Sequence, residues 1–528
     1  MELETIIDKL TDPAAYPHPV DGEVVCHQTH ISVVFLAGDY AYKLKKPVDL
    51  GFLDYSTLEK REHFCEREVE LNRRLAPDVY LDVVSVTVSD GQLCVGGDGE
   101  VVEWAVKMRR LPDEATLEAR LARGEVTAGQ MESVARRVAA FHAEARSDEE
   151  TARYGRFETV AGNARENFEQ TVEHVGQTVH RDVYARLEAL QEAELDRLHD
   201  LIERRAAAGV PSDTHGDLRL DHVYVLGEED EEYVIVDCIE FNDRFRYADP
   251  VADMAFLVMD LECADRRDLA RAFAGAYFEA AGDREGAELL SFYVAYRAIV
   301  RAKVEGIKAT EPEVDEADRA EACEKAMSHW LLALGRLEAP ERRPAMVLVG
   351  GLPGTGKSTL ARALAERAGF EVVDTDVVRK ELAGLAPDDD GKAAYGEGIY
   401  TQEWSKKTYG ECLRRAEALL FEGKRVIVDA TFSGEARRQM FLERAHALGV
   451  RSLFLECQTS SETACERLAG RTGDVSDADW DVYTKMVEAW EAPSSAVTEW
   501  ARRVVSAEGE VGEVVDRALE ALREEGLC

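Results

Sequence analysis

The 528-residue sequence predicts two domains of different class. Residues 1–340 read as an α+β, two-lobed domain, and residues 341–528 as an α/β domain built on a parallel, doubly wound sheet. Three observations carry this. The length exceeds what one hydrophobic core organises. Between Val24 and Met108 short apolar runs alternate with turns, whereas helix-period patterning dominates after Leu111. Finally, an apolar strand, a glycine-rich loop and an amphipathic helix follow one another in Met346–Ala368, just after the proline-flanked charged segment Leu337–Pro344 that marks the boundary.

Taken in order, Val24-Val25, Ile31–Leu36 and Ala41–Leu44 alternate as antiparallel strands, with Ala37-Gly38-Asp39 as a tight turn. A helix is expected over about Thr57–Leu75. Val83–Val88 and Val101–Met108 read as two further strands around a glycine-rich turn from Gly91 to Gly99. Helices follow at Ala128–Ala143, Arg181–Ala206 and through much of Ala252–Leu337. In the second domain strands are expected at Met346–Val349, Phe370–Val373 and Lys424–Val428, each ending near glycine or a carboxylate, the crevice side of a doubly wound sheet.

The segment Gly351–Ser358 fits G-x-x-x-x-G-K-[ST]. Backbone N–H groups can wrap a phosphate chain only where side chains do not intrude, which glycine alone guarantees. A nucleoside triphosphate is therefore expected against Gly351, Gly354, Thr355, Gly356, Lys357, Ser358 and Thr359. Lys357 points charge at the β and γ phosphates, and the Ser358 hydroxyl is placed to ligate Mg²⁺.

Within the helical part of the first domain stands Thr214-His215-Gly216-Asp217-Leu218-Arg219-Leu220-Asp221-His222, followed by the apolar run Tyr233–Val236 ending in Asp237. This resembles the aminoglycoside phosphotransferase-like branch of the protein-kinase-like fold, whose catalytic loop reads H-G-D-L-H-x-x-N. The resemblance implies Asp217 as base for an acceptor hydroxyl and Asp237 as Mg²⁺ ligand. It also implies a strand lysine on the α and β phosphates paired with a helix glutamate, here Lys45 and Glu68; Lys43 lies on the same strand face and stays open as the alternative. Arg219 replaces the family's second His. His222 replaces its metal-ligating Asn and is assigned to the metal side, with a hydrogen bond to phosphate, or absence of the second metal, as the other options. The turn Gln28–Ser32, where the fold usually places a glycine-rich phosphate cover, has no glycine. Asp253, in Asp249-Pro250-Val251-Ala252-Asp253, is expected to brace the catalytic loop.

In the second domain, Val372-Val373-Asp374-Thr375-Asp376-Val377-Val378-Arg379 resembles small-molecule and polynucleotide 5′-hydroxyl kinases of the P-loop NTPase class, including zeta-toxin-like enzymes and gluconate kinases. That resemblance implies Asp376 as activator of the acceptor hydroxyl, Arg379 as substrate anchor and Asp429, closing Val426-Ile427-Val428, as a metal ligand through water. It implies further that Arg467 and Arg471 neutralise the transferring phosphoryl group.

The formal charge of −40 and the roughly threefold excess of arginine over lysine predict a self-repelling, strongly hydrated surface suited to salt-rich cytoplasm, and hence a halophilic source. Such a surface disfavours nucleic-acid partners. The ten scattered cysteines lack any C-x-x-C pair, as expected of reduced thiols in a cytoplasmic protein. No apolar stretch approaches a membrane span. Together these readings predict an ATP- and Mg²⁺-dependent phosphotransferase with two nucleotide sites acting on small-molecule hydroxyls. Two rival readings remain: a first domain that only senses nucleotide or ligand, and a second domain that phosphorylates 5′-hydroxyl ends of polynucleotides.

Overall fold

The computed structural model describes residues 2–89, 91–227, 232–312, 314–386, 397–470 and 480–528. They form two compact units: Met1–Gly162 with Leu198–Leu261 and Arg266–Tyr293, and Asn163–Arg197 with Glu262–Asp265 and Val294–Cys528.

The first unit is built on six strands, β1 (Val25–Gln28), β2 (Ser32–Ala37), β3 (Tyr40–Lys45), β4 (Tyr80–Ser89), β5 (Gln92–Val95) and β6 (Glu100–Arg109), in the antiparallel order β1-β2-β3-β6-β4-β5. The hairpin between β2 and β3 closes through Gly38, whose φ of 60° suits a two-residue turn matching the strand twist. The glycine-rich turn expected at Gly91–Gly99 contains β5, which pairs back on β4 from Val86↔Val95 to Ser89↔Gln92. One sheet face buries Val33, Phe35, Leu44, Val86 and Ala105 under Ile6, Leu10 and Tyr16. Against the other lies the helix Leu58–Asn72, capped by the Thr57 hydroxyl, with Cys65 and Val69 packed on Tyr80 and Val106. The helical part follows with β7 (Ser212–Asp213), β8 (Val223–Leu226), β9 (Glu232–Ile235) and β10 (Tyr247–Ala248). β8 and β9 form a hairpin that runs into Asp237.

The second unit carries β11 (Ala345–Gly350), β12 (Glu371–Asp374), β13 (Arg425–Asp429), β14 (Arg451–Gln458) and β15 (Arg502–Ser506), all parallel, in the order β12-β13-β11-β14-β15. β11 is buried at every position, as a sheet covered on both faces requires. Helices Lys357–Ala368 and Val511–Glu524 cover one face through Leu360, Leu364, Val515 and Leu522, on Val347, Val349 and Leu455. On the other, Phe432 packs edge-on against Tyr409, Phe441 and Phe454.

Position 340, expected as the domain boundary, falls inside this unit. The reason is packing. A Cβ at Gly423 would meet Val183 and Leu334, and one at Gly449 would meet Ser328. The Arg186 guanidinium binds the Gly423 carbonyl at 3.0 Å and Glu338. Helical residues upstream of 340 thus cover the end of the second sheet.

Candidate active sites

In the second unit the phosphate loop leaves the carboxyl end of β11. Gly351, Gly354 and Gly356 have φ of 147°, 82° and 88°, where an L side chain is strained. A Cβ would also lie 2.6 Å from the Cys457 carbonyl at Gly351 and 2.8 Å from the Ala464 carbonyl at Gly354. Thr355 spends its hydroxyl on the Leu352 carbonyl at 2.8 Å, holding the loop rather than facing outward. Lys357 opens the following helix and is buried, Ser358 is half-buried and Thr359 is exposed. The β12↔β13 register sets Asp374 opposite Asp429. Asp429 is 3% exposed, its Oδ1 has no hydrogen-bond partner, and the Ser358 hydroxyl bonds the same carboxylate. Burial first, then the neighbouring Asp374 and Asp376, push this carboxyl up to about 7 against the opposing pull of Lys357 and Ser358. An orphaned, buried carboxylate oxygen beside a hydroxyl and below a glycine cradle fits a hard divalent cation with a phosphate chain.

Asp374 caps the helix Thr375–Leu382 by accepting from the N–H groups of Asp376 and Val377. Asp376 sits in the first turn and pairs with Arg379, whose guanidinium lies over the Tyr400 ring at 5.0 Å. Arg467 does not lie on a solvated face. Its guanidinium donates to the carbonyls of Thr355 at 3.4 Å and Ala507 at 2.9 Å, on the edge of the phosphate loop. Arg471 lies outside the described residues.

In the first unit the hairpin brings Asp217 and Asp237 together around one imidazole. His222 Nδ1 is 2.8 Å from the Asp217 carbonyl oxygen and 3.6 Å from its carboxylate; Nε2 is 3.7 Å from the Asp237 carboxylate. Burial opposes protonation of this ring, but Asp217, Asp237 and Asp221 outweigh it and raise its pKa. Asp237 has a φ of 64°, rare for a residue with a side chain and characteristic of functional turns. Burial raises its carboxyl, yet Lys43 and His222 bring it below the usual carboxylate range. Asp253 accepts from the backbone N–H groups of His215 at 3.0 Å and Gly216 at 2.8 Å, bracing the loop. Burial pushes the His215 imidazole down to about 4. The neutral ring donates from Nε2 to the Val236 carbonyl at 3.0 Å and accepts the Asp217 N–H at Nδ1.

The two strand lysines part company here. Lys43 reaches Asp237 at 2.6 Å and Glu68 at 2.9 Å. Lys45, 1% exposed, is enclosed by Glu68 at 2.7 Å, Glu240 and the Tyr55 hydroxyl. Glu240 is a member of this cluster that local pattern could not find, because the contact spans 195 positions. In the glycine-free turn, the Thr29 hydroxyl accepts from the N–H groups of Ile31 and Ser32.

A parallel sheet with a phosphate loop, together with a two-lobed unit bearing an H-G-D loop, defines a nucleotide-binding kinase of composite architecture. The Phosphotransferase enzyme family matches residues 62–290, and the AAA domain family matches residues 346–493. An uncharacterized protein of Mycobacterium tuberculosis is 36% identical over 465 residues, covering 87% of this chain and 89% of the relative. Among solved structures, a choline/ethanolamine kinase family protein from Mesorhizobium loti is 14% identical with a TM-score of 0.39, over 64% of this chain and 96% of that one. A gluconokinase from Sinorhizobium meliloti is 22% identical with a TM-score of 0.25, over 35% and 93%. The chain belongs to the family of its mycobacterial relative, and it joins an aminoglycoside phosphotransferase-like domain to a P-loop kinase domain.

Proposed function

We propose that both units bind ATP with Mg²⁺ and pass the γ-phosphoryl group to hydroxyl groups of small molecules. The observation that carries this reading is that each unit gathers carboxylates and a lysine into one cluster: Asp374, Asp376 and Lys357 around Asp429, and Asp217 and Asp237 joined by His222 beside Lys43. Ser358 and Asp429 in one unit and Asp237 in the other would hold Mg²⁺, which would supply neutralisation of phosphate charge. The loop amides around Gly354 and Gly356 bind the triphosphate, and Lys357 supplies a positive charge there. Asp376 takes the acceptor proton at its carboxylate while Arg379 orients it and anchors the acceptor. In the first unit Asp217 accepts the acceptor proton, and His222 fixes the separation of the two aspartates. Lys43 is the phosphate-facing lysine. It can exchange Asp237 for phosphate while keeping Glu68, whereas Lys45 has no route out of its closed cluster.

One observation favours a second reading of the first unit. The Thr29 hydroxyl already occupies two N–H groups of the turn that would cover phosphates, as suits a unit that binds ligand without turnover.

Incubating the protein with labelled ATP and a metabolite extract tests both readings. Two sets of products are expected, one lost in Lys357→Ala and the other in Asp217→Asn. Loss of every product in Lys357→Ala, with none lost in Asp217→Asn, would leave the first unit as a sensor.

A further inference from the structure

We infer that Arg438, remote in sequence from the phosphate loop, is a positioning residue for it, acting through a strained knuckle at Phe432. This rests on the reading of the loop as a nucleotide site. Three observations meet here. Phe432 has a φ of 51°, a conformation costly for a bulky aromatic residue and maintained only where surroundings impose it. Its ring is wedged among Tyr409, Phe441 and Phe454, which fixes the side chain. Its carbonyl accepts from Arg438 Nη1 at 2.7 Å, which fixes the next peptide. The residue before it, Thr431, presents its carbonyl to the N–H of Gly351, the first glycine of the loop, at 3.1 Å.

Arg438 is fully buried, and its guanidinium holds three acceptors. Besides the Phe432 carbonyl at Nη1, Nε binds Glu435 at 2.9 Å, and Nη2 lies 2.8 Å from the same carboxylate while donating to the Glu491 carbonyl at 2.6 Å. Glu435 in turn accepts from the Ser495 N–H at 2.9 Å. A planar, five-donor cation can hold three such acceptors at once, and an ammonium cannot reproduce the fork. The chain of contacts therefore runs from Arg438 through the Phe432 carbonyl to the Thr431–Gly351 hydrogen bond. Asp429 stands two residues before Thr431, so the same knuckle sets the carboxylate and the loop glycine in common register.

The test compares wild type with Arg438→Lys, Phe432→Gly and Glu435→Gln in the full chain. Affinity for a fluorescent ATP analogue and hydrogen exchange at the Gly351 amide are measured well below each variant's melting temperature. Arg438→Lys is expected to bind about tenfold more weakly, the worth of one charge-assisted hydrogen bond, with faster exchange at Gly351. Phe432→Gly relaxes the knuckle and is expected to move both readouts in the same direction by a smaller factor. Glu435→Gln keeps the Phe432 bond, so it should lower the melting temperature with affinity within twofold of wild type. A merely structural Arg438 would leave folded protein with wild-type affinity and wild-type Gly351 exchange; that result in Arg438→Lys overturns the inference. Should Arg438→Lys fail to fold, wild-type values of both readouts in Phe432→Gly overturn it instead. Failure of the nucleotide reading looks different: wild type and Lys357→Ala would then bind the analogue equally, while the exchange readout still reports on the knuckle.

Discussion

Asp429 and the two strand lysines show how a single buried charge decides behaviour. The Asp429 carboxyl titrates near 7 in the folded protein against an ordinary 3.8. Between those values the native state therefore holds a proton that the unfolded chain has released. Stability from this group is complete below about pH 4 and declines as pH rises through about 7. Asp429→Asn, which stays neutral, should gain melting temperature relative to wild type as pH increases from 5 to 8, levelling off above 7. A difference that does not change with pH would place the carboxyl in water. Mg²⁺ with nucleotide should stabilise wild type more at pH 8 than at pH 6, because a proton no longer has to leave. For the lysines, Lys45→Met strands Glu240 as a buried anion, leaves Glu68 with Lys43 alone, and should cost about 3–5 kcal/mol in denaturant unfolding. Lys43→Met faces a partly exposed Asp237. It should lose nucleotide binding in the first unit with a much smaller loss of stability. Equal losses in the two variants would reverse the assignment of the phosphate lysine.

Loops and the elements they join carry the next level of argument. Gly354→Ala combines a positive φ with a Cβ 2.8 Å from the Ala464 carbonyl, so either the loop or the helix Ser461–Ala469 must move. Nucleotide affinity in the second unit is expected to fall at least tenfold while Asp217-dependent transfer is unchanged, measured by calorimetry and product assay. Thr127 and Gln130 form a reciprocal cap on the helix Ala128–Glu144, and Thr127→Ala should cost about 1 kcal/mol. The amino-acid order alone makes several of these elements legible. The strand after Pro344, the loop and its helix fall where spacing and glycine placement put them, because their signals are local. The run Val83–Val88 is legible too, but β5 is not, since Gln92-Leu93-Cys94-Val95 is short and bracketed by glycines that read as turn. The carboxylates are legible as strand endings. Their division of labour is not: Asp374 caps a helix while Asp376 faces Arg379, and only the register of β12 on β13 separates the two roles. Glu240, Tyr55 and Arg438 leave no signal because their partners lie far along the chain or are backbone carbonyls.

At the level of the molecule, the compact units are discontinuous in sequence, and excision becomes a test of that. Residues 341–528 alone would bare the surface that Val183, Ser328 and Leu334 cover at Gly423 and Gly449. This fragment should melt lower than the corresponding transition of the full chain, or aggregate; equal melting would show that the upstream helices add nothing. The charge of −40 acts on the whole chain at once. Raising KCl from 0.1 to 2 M should lift the melting temperature by several degrees, as screening relieves repulsion that a folded surface concentrates.

The grip of Glu68 on two ammonium groups through its two oxygens has a practical corollary for anyone wishing to disarm the first unit. An amide offers a single acceptor and would turn its NH₂ toward one of the cations, so Gln at 68 is no conservative swap. Position 68 is a keystone whose removal drops the arch, and a silenced yet intact protein is better sought by changing residue 43.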